Sequence, residues 1–251
     1  MNDEKVLTFT FITVTYNAEE TLERTLRSVA EQTYPHIEHI LIDGASKDRT
    51  LEIAHTHGGH LAKIVSEPDR GLYDAMNKGI HLATGDYVCF LNAGDKLHDS
   101  ETLEHIHSSL VACSPSLMTL PGVLYGHTDI VDDDGCYLGP RHLLPPEQLS
   151  WKSFRQGMLV CHQAFYARRD LCLEYDTDFR FSADFDWCIR VMKQTDDLLH
   201  LPFTVVDYLQ EGMTTRNHRA SLVERFRLMC RHYGVASTIV RHFGFLLRSL
   251  K

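Results

Sequence analysis

Residues 67–95 read EPDRGLYDAMNKGIHLATGDYVCFLNAGD, and this stretch decides the fold. A polar turn leads into Leu72, Ala75, Met76, Gly79, Ile80 and Ala83, whose helical spacing predicts an amphipathic helix with one buried face. The apolar run 87–91 reads as a buried strand that delivers Asn92, Ala93, Gly94 and Asp95 to its C-terminal edge. In open α/β sheets ligands bind at that edge. A carboxylate there suits a metal bound to a phosphate, because Mg²⁺ and Mn²⁺ take carboxylate oxygens and keep substrate phosphates as further ligands. The competing reading of Asn-Ala-Gly-Asp is a plain turn, since those residues form turns unaided.

Working outward, 7–13 is apolar and β-branched, a buried strand. Asn17 followed by Glu20 has the spacing of a capping box ahead of a helix carrying Leu22, Leu26 and Val29. The next strand, 39–42, closes on Asp43-Gly44, Ser46 is expected to cap a helix to about His57, and 63–65 is a third strand. Strand–helix alternation at this spacing predicts a parallel sheet with right-handed crossovers. After Asp95 the pattern changes. It reads as a helix over 101–112, strands over 122–131 and 136–139 around the turn 132–135, a short helix near Trp151, a strand over 161–167, a helix over 182–194 and a strand over 198–208. A polar loop over 210–218 precedes two C-terminal helices split near Gly234. The expected architecture is α/β: a Rossmann-like, mostly parallel sheet flanked by helices, with a C-terminal helical extension. The divisions are a nucleotide-binding half over 1–98, an acceptor half over 99–217, and basic amphipathic helices over 218–251.

The chain has 251 residues, 43% hydrophobic and 24% charged, enough for a full core. It contains no apolar run of transmembrane length, and the start MNDEKVLTFTFITVTYN carries acids early and enters a strand at once, unlike a signal peptide. Seven scattered cysteines without a CxxC pair fit reduced thiols in a cytoplasm, not a disulfide framework or a structural zinc. The net charge of −9 is unevenly spread: eight Lys/Arg but one acid, Glu224, lie between Arg216 and Lys251. The acidic body argues against nucleic acid as partner. In the tail, Arg219, Arg227, Arg231, Arg241 and Arg248 alternate with Leu222, Phe226, Met229, Val240, Phe243, Leu246 and Leu247. Such helices either lie peripherally on an anionic membrane or pack on the domain or on a second copy of the chain as a homodimer.

The first strand–helix turn, Val14–Glu20, lacks GxGxxG, which disfavours a dehydrogenase. Tyr16 there either stacks beside a nucleobase or simply packs. Asp43 either accepts from the N–H of a base or caps the following helix. Asp69, Asp74, Asn77 and Lys78 join Asn92, Ala93 and Gly94 as candidates for holding a ligand at this edge. Asp184 shares a helix face with Trp187, Cys188 and Val191, so it points to a core or cleft, where an acid serves as a cap, a buried ion or a general base. Asp186, Arg190 and Lys193 share the opposite face and read as a solvated ion-pair row. His162 and Gln163 begin an apolar strand and either line a pocket or sit satisfied in the core. Glu211, Arg216 and His218 lie in the polar loop, where they can close over a diphosphate or stand idle on the surface.

Taken together and in order, FITVTYNAEETLERTLRSV, HILIDGASKDRT, SEPDRGLYDAMNKGIHLATGDYVCFLNAGD, CHQAFYARR and FSADFDWCIRV resemble the family 2 glycosyltransferases of GT-A fold, over roughly 1–217. The run EPDRGLYDAMNKGI, with HQAFY, SADFDW and EGMTTRN, is most similar to bacterial polysaccharide-cluster enzymes of the colanic-acid type. The resemblance implies that Thr15, Tyr16 and Asn17, with Glu20 close behind, hold the nucleoside and that Asp43 reads the base. It implies Asp95 as the final acid of the metal motif and Asp184 as the base. A Mg²⁺ or Mn²⁺ cofactor and a UDP-, GDP- or dTDP-sugar donor follow from the same resemblance. So does inverting transfer to an acceptor hydroxyl, and the basic tail motivates a lipid-linked glycan as that acceptor. The sequence departs from the family at Asn92, Gly94 and Ala183, where many members carry acids, and at Met76, where many carry arginine. Those departures keep a non-catalytic nucleotide-sugar-binding subunit as the alternative. A sugar nucleotidyltransferase is a weaker one, because TVTYNAEETLERT holds no Gly-rich basic loop.

Overall fold

A computed structural model describes residues 6–113, 119–210 and 218–249. Strand β1 (Phe9–Thr15) is buried at every position, as a sheet covered on both faces requires. It runs parallel to β2 (Ile37–Asp43) from Phe9↔Ile37 to Thr15↔Asp43, and parallel to β4 (Tyr87–Phe90) from Phe9↔Tyr87 to Ile12↔Phe90. Strand β3 (Lys63–Ser66) extends the sheet beyond β2, again parallel. Helices α1 (Leu22–Ala30), α2 (Thr50–His57) and α3 (Leu72–Leu82) make the crossovers. This registry brings Thr15, Asp43 and the residues after Phe90 to one edge of the sheet.

Helix α3 can lie close to the sheet because of Gly79. A Cβ at that position would sit 2.3 Å from Ile12 Cγ2 on β1. The glycine weakens the isolated helix by about 1 kcal/mol relative to alanine, and close packing of α3 on β1 offsets that cost.

Beyond β4 the sheet turns mixed. Strand β8 (Phe165–Arg168) is antiparallel to β4 and to β6 (Val123–Val131). Strand β6 also pairs with β7 (Tyr137–Pro140) and, in parallel, with β9 (Leu198–Leu209). The short β5 (Lys96–Leu97), which directly follows the Asp95 turn, closes antiparallel on β9. The order across the sheet is β3-β2-β1-β4-β8-β6-β9-β5. Helix α4 (Thr102–Cys113) follows β5, and α5 (Ala183–Met192) precedes β9. Between α3 and α5 lies a layer of rings: Tyr175 stacks on Trp187 at 5.1 Å and on Tyr73 at 5.4 Å, and Phe90 stacks on His162 at 5.0 Å.

The C-terminal extension is two helices, α6 (His218–Tyr233) and α7 (Val235–Ser249), joined at Gly234 with φ +84°. Helix α6 is bolted to the start of α5. The Glu224 carboxylate accepts from the amides of Arg180 and Phe181 at 2.9 and 2.8 Å. Ser182 and Ser221 hydroxyls meet at 3.3 Å, and Tyr233 donates to the Trp151 carbonyl at 2.6 Å.

Four local expectations are corrected. Asn17 does not cap α1: its φ is +48° and its Oδ1 accepts from the Lys47 amide at 2.8 Å. Ser46 does not cap α2, since its hydroxyl donates to Asp43 and accepts from the Asn17 amide at 2.8 Å. The two βα loops bind each other, so their capping residues are spent on the neighbouring loop, and Asp48 instead accepts from the Thr50 amide at 3.0 Å. The strand expected over 161–167 starts at Phe165, after a 3-10 turn at His162–Ala164, because pairing with β6 begins only there. A short apolar run does not separate these two cases. Asp186 is not solvated. It is fully buried between Arg190 at 2.5 Å and His232 of α6 at 2.7 Å, because α6 covers the face that α5 alone would expose.

Candidate active site

A cavity of about 580 Å³ opens at the sheet edge defined above. Its walls come from the end of β1, the turn after β4, the start of α3, the start of α5, the end of β9 and one residue of α6.

On one side stand Thr15 and Tyr16, the end of β1. Thr15 Oγ1 is buried with no hydrogen-bond partner among the described residues, and Tyr16 is 64% exposed, open to a flat ligand. Gly44 sits beneath that ring: a Cβ there would fall 3.2 Å from Tyr16 Cδ2 and 2.5 Å from Asp69 Oδ2. Asp69 is held by the Gly71 amide at 2.8 Å. Asp43 is fully buried next to this shelf. Its carboxylate accepts from the Ser46 amide at 3.1 Å, the Ser46 hydroxyl and the Ser66 hydroxyl at 2.6 Å, and the side chain does not line the cavity.

At the floor lies the 92–95 turn. Thr25 of α1 ties it down, accepting from the Gly94 amide at 2.9 Å and donating to the Asp95 carbonyl at 2.7 Å. Gly94 has φ +105°, and a Cβ would come 2.7 Å from Leu209 Cδ2, so any side chain at this position strains the backbone and pushes Leu209 aside. Asp95 is 3% exposed; its Oδ2 accepts from Gln163 Nε2 at 2.8 Å and its Oδ1 from the Leu209 amide at 3.0 Å. Burial pushes its carboxyl up to about 7, against those two hydrogen bonds and the charge of Arg24. In the same turn Asn92 Oδ1 is buried without a partner among the described residues.

Opposite, Asp184 enters from the first turn of α5. Its Oδ1 accepts from the Tyr73 hydroxyl at 3.1 Å and from the Phe185 amide at 2.8 Å. Asp95 and Asp184 thus share one cavity, with Tyr73 reaching across from α3. His162 also faces it. Burial lowers its pKa to about 4, although Asp184 pulls the other way, so the ring is neutral at pH 7 and bonds Tyr175 Oη at 2.6 Å.

Of the residues singled out from the sequence, Thr15, Tyr16, Asn92, Ala93 and Asp95 gather on one side, with His162, Gln163 and Asp184 facing them. Others are not in the cavity wall. Asn77 clamps the Tyr175 backbone at 2.7 and 3.1 Å, Asp74 takes the Arg70 amide at 3.0 Å, and Lys78 bonds Glu67 and the Pro68 carbonyl, both at 2.9 Å. Glu20 borders a separate hollow beside Arg24 and Lys96. Glu211 and Arg216 lie outside the described residues. The sequence reading passed over Tyr73, Thr25, Arg141 and Arg225. Thr25 left a signal, being a polar residue on the buried stripe Leu22–Leu26–Val29 of α1.

A second group of donors sits under β9, where His98, Asp129 and Asp207 offer ligand atoms within 4.8 Å of one another. Lys96 Nζ is 2.6 Å from Asp207, so a cation already neutralises that acid. The 92–95 turn fits a divalent ion better: it pairs an acid with an unpartnered buried oxygen inside the cavity, a donor set of the hard type such ions take.

The family model described as glycosyl transferase family 2 matches residues 10–112. The chain is 34% identical over 188 residues to a PGL/p-HBAD biosynthesis glycosyltransferase of Mycobacterium tuberculosis, covering 72% of this chain and 68% of that protein. It is 28% identical over 201 residues to the amylovoran biosynthesis glycosyltransferase AmsB of Erwinia amylovora, covering 75% and 65%. Its fold matches S. aureus TarS 1–349 in complex with UDP-GlcNAc at a TM-score of 0.70, with 18% identity, over 95% of this chain and 73% of that one. The chain belongs to glycosyl transferase family 2, and its α/β architecture is that of the GT-A enzymes.

Proposed function

We propose that this glycosyltransferase moves a sugar from a nucleotide-sugar donor to an acceptor hydroxyl with inversion, using Asp184 as base and the 92–95 turn at the donor diphosphate. The observation that carries the reading is the shared cavity. Asp184, oriented by Tyr73, faces Asp95 and Asn92 across a space large enough for a sugar, with the Thr15–Tyr16 shelf beside it. In the reaction the acceptor oxygen bonds the anomeric carbon, the bond from that carbon to the diphosphate oxygen breaks, and the nucleoside diphosphate leaves with the electron pair. The acceptor proton passes to an Asp184 oxygen, which as general base contributes about 10²–10⁴-fold in rate. Asp95 and Asn92 would hold a divalent ion, which when bound offsets charge growing on the leaving diphosphate. Asp43 supports the base shelf from behind through Ser46 and Ser66.

UDP is the favoured nucleotide, because the TarS fold neighbour binds UDP-GlcNAc. Surface glycan or glycolipid synthesis is the favoured setting, by analogy with the relatives' names. No described helix is long and apolar enough to cross a membrane. Leu222, Val223, Ile239 and Val240 are exposed on α6 and α7 beside exposed Arg219, Arg227 and Arg241, which supports peripheral contact with an anionic bilayer.

A thermal-shift panel of UDP-, GDP- and dTDP-sugars with and without Mn²⁺, followed by nucleotide-release assays on wild type and Asp184→Asn, tests the reading. One donor class should stabilise the protein, more so with Mn²⁺, and Asp184→Asn should keep that binding while losing release. Equal, low release from both proteins with intact binding would make the chain a binding subunit.

A further inference from the structure

Arg225 of α6 lines the same cavity as Asp184. Its guanidinium carbon lies 5.2 Å from the ring centroid of Phe185, the residue next to Asp184. Its Nε is buried and has no hydrogen-bond partner among the described residues. Arg141 is the contrasting case. It lines the cavity too, but donates to the carbonyls of Leu143, Leu159 and Met158 at 2.9, 3.4 and 2.7 Å and so serves the loop it sits on.

A buried guanidinium N–H without an acceptor is costly, and the ring face attracts the cation without satisfying its donors. The position is not accidental looseness. Residue 224, immediately before it, is held by the Arg180 and Phe181 amides, and Ser221 meets Ser182, so the α6 backbone is fixed against the start of α5. The planar fork of arginine matches a phosphate or carboxylate through paired hydrogen bonds. In a single displacement the base lies across the anomeric carbon from the leaving diphosphate. A cation stacked beside the base is therefore on the acceptor's side of the cavity, away from the 92–95 turn.

We infer that Arg225 is an anion-binding residue of the acceptor site, and that the acceptor carries a phosphoryl group close to the hydroxyl that is glycosylated. This rests on the transferase reading above and names its acceptor class. The phosphoryl group can belong to a lipid carrier or to a free phosphorylated glycan, and both offer Arg225 the same oxygens.

The experiment uses the full chain with UDP and Mn²⁺ present and measures binding of farnesyl phosphate, inorganic phosphate and farnesol to wild type, Arg225→Gln and Arg225→Lys. Wild type should bind farnesyl phosphate and not farnesol. Arg225→Gln should weaken that binding by about 10- to 100-fold and Arg225→Lys by less, as expected for a lost charge-assisted pair. UDP affinity should stay within about twofold in both variants, which also shows that they are folded. Inorganic phosphate binding as tightly as farnesyl phosphate supports the inference with a free anion as source; much weaker binding supports it with a lipid carrier. Unchanged phosphate affinity in Arg225→Gln, no phosphate binding by wild type, or a parallel loss of UDP affinity would overturn it. Failure of wild type to bind any nucleotide or nucleotide sugar would instead sink the transferase reading itself.

Discussion

Gln163 donates from Nε2 to Asp95 Oδ2 at 2.8 Å, and both side chains are buried. The bond favours the ionised acid, which burial otherwise drives toward protonation at about pH 7. In Gln163→Leu that support is gone, so the Asp95 carboxyl should hold its proton to higher pH. A hydrogen bond to a charged group is worth about 1.5–3 kcal/mol, which moves the acid limb of Mn²⁺-dependent nucleotide binding up by about one to two pH units. Titration of binding against pH for both proteins checks this; coincident profiles reject it.

Asp95 also bears on stability. Its folded pKa is raised from 3.8 to about 7, so its contribution is best below the ordinary carboxylate value and is lost as pH rises toward 7. Asp95→Asn removes that loss. In the absence of ligand and metal, the variant should melt near wild type at pH 4 and above it at pH 8, by on the order of 2–4 kcal/mol, or several degrees for a chain this long. Melting curves at the two pH values decide it. A variant less stable than wild type at pH 8 would mean that Leu209 and Gln163 favour the carboxylate over the amide by more than burial penalises its charge.

Tyr73 Oη reaches Asp184 Oδ1 from the opposite helix. Tyr73→Phe keeps the ring stacked on Tyr175 and removes only that donor. Turnover should fall about tenfold with nucleotide affinity unchanged, the loss expected for one orienting hydrogen bond. Adding Tyr73→Phe to Asp184→Asn should cost little more, because the two residues act as one unit. Additive losses in this double-mutant cycle would assign Tyr73 an independent role.

Gly44 keeps the shelf under Tyr16 clear. Gly44→Val pushes on Asp69 and on the tyrosine ring, both at the surface of the cavity region and away from the main core. UDP affinity should drop about tenfold or more, while Tm falls by no more than about 4 °C, which corresponds to about 1 kcal/mol. Calorimetric titration beside a melting curve separates the two effects, and unchanged affinity would remove Tyr16 from the nucleotide site.

The first half of the fold was legible because its signals are local. The apolar β1 run and the α3 stripe from Leu72 to Ala83 each declare an element without reference to the rest of the chain, and Asp95 follows from where a strand ends. Asp184 was legible from helix periodicity. Asp186 was not, because its burial depends on His232, 46 residues later, folding back over α5. Arg225 was hidden for the same reason: on its own helix it reads as one more surface arginine of a basic tail. The caps were misread because Asn17 and Ser46 look suited to their own helices, while the parallel β1–β2 registry sets them against each other. Gly94 read as a missing acid until its backbone angle and Leu209 explained it.

The stapling of α6 to α5 bears on how this chain tolerates exchange of its tail. Glu224, Arg225 and His232 each have their counterpart in the ten residues from 180 to 189, at Arg180 and Phe181, Phe185 and Asp186. The two segments therefore depend on each other for their packing, although 44 residues separate Glu224 from Arg180 in the chain. Recombination that exchanged the tail alone would strand a buried aspartate and blunt one wall of the cavity, whereas a crossover placed upstream of residue 180 would transplant both at once.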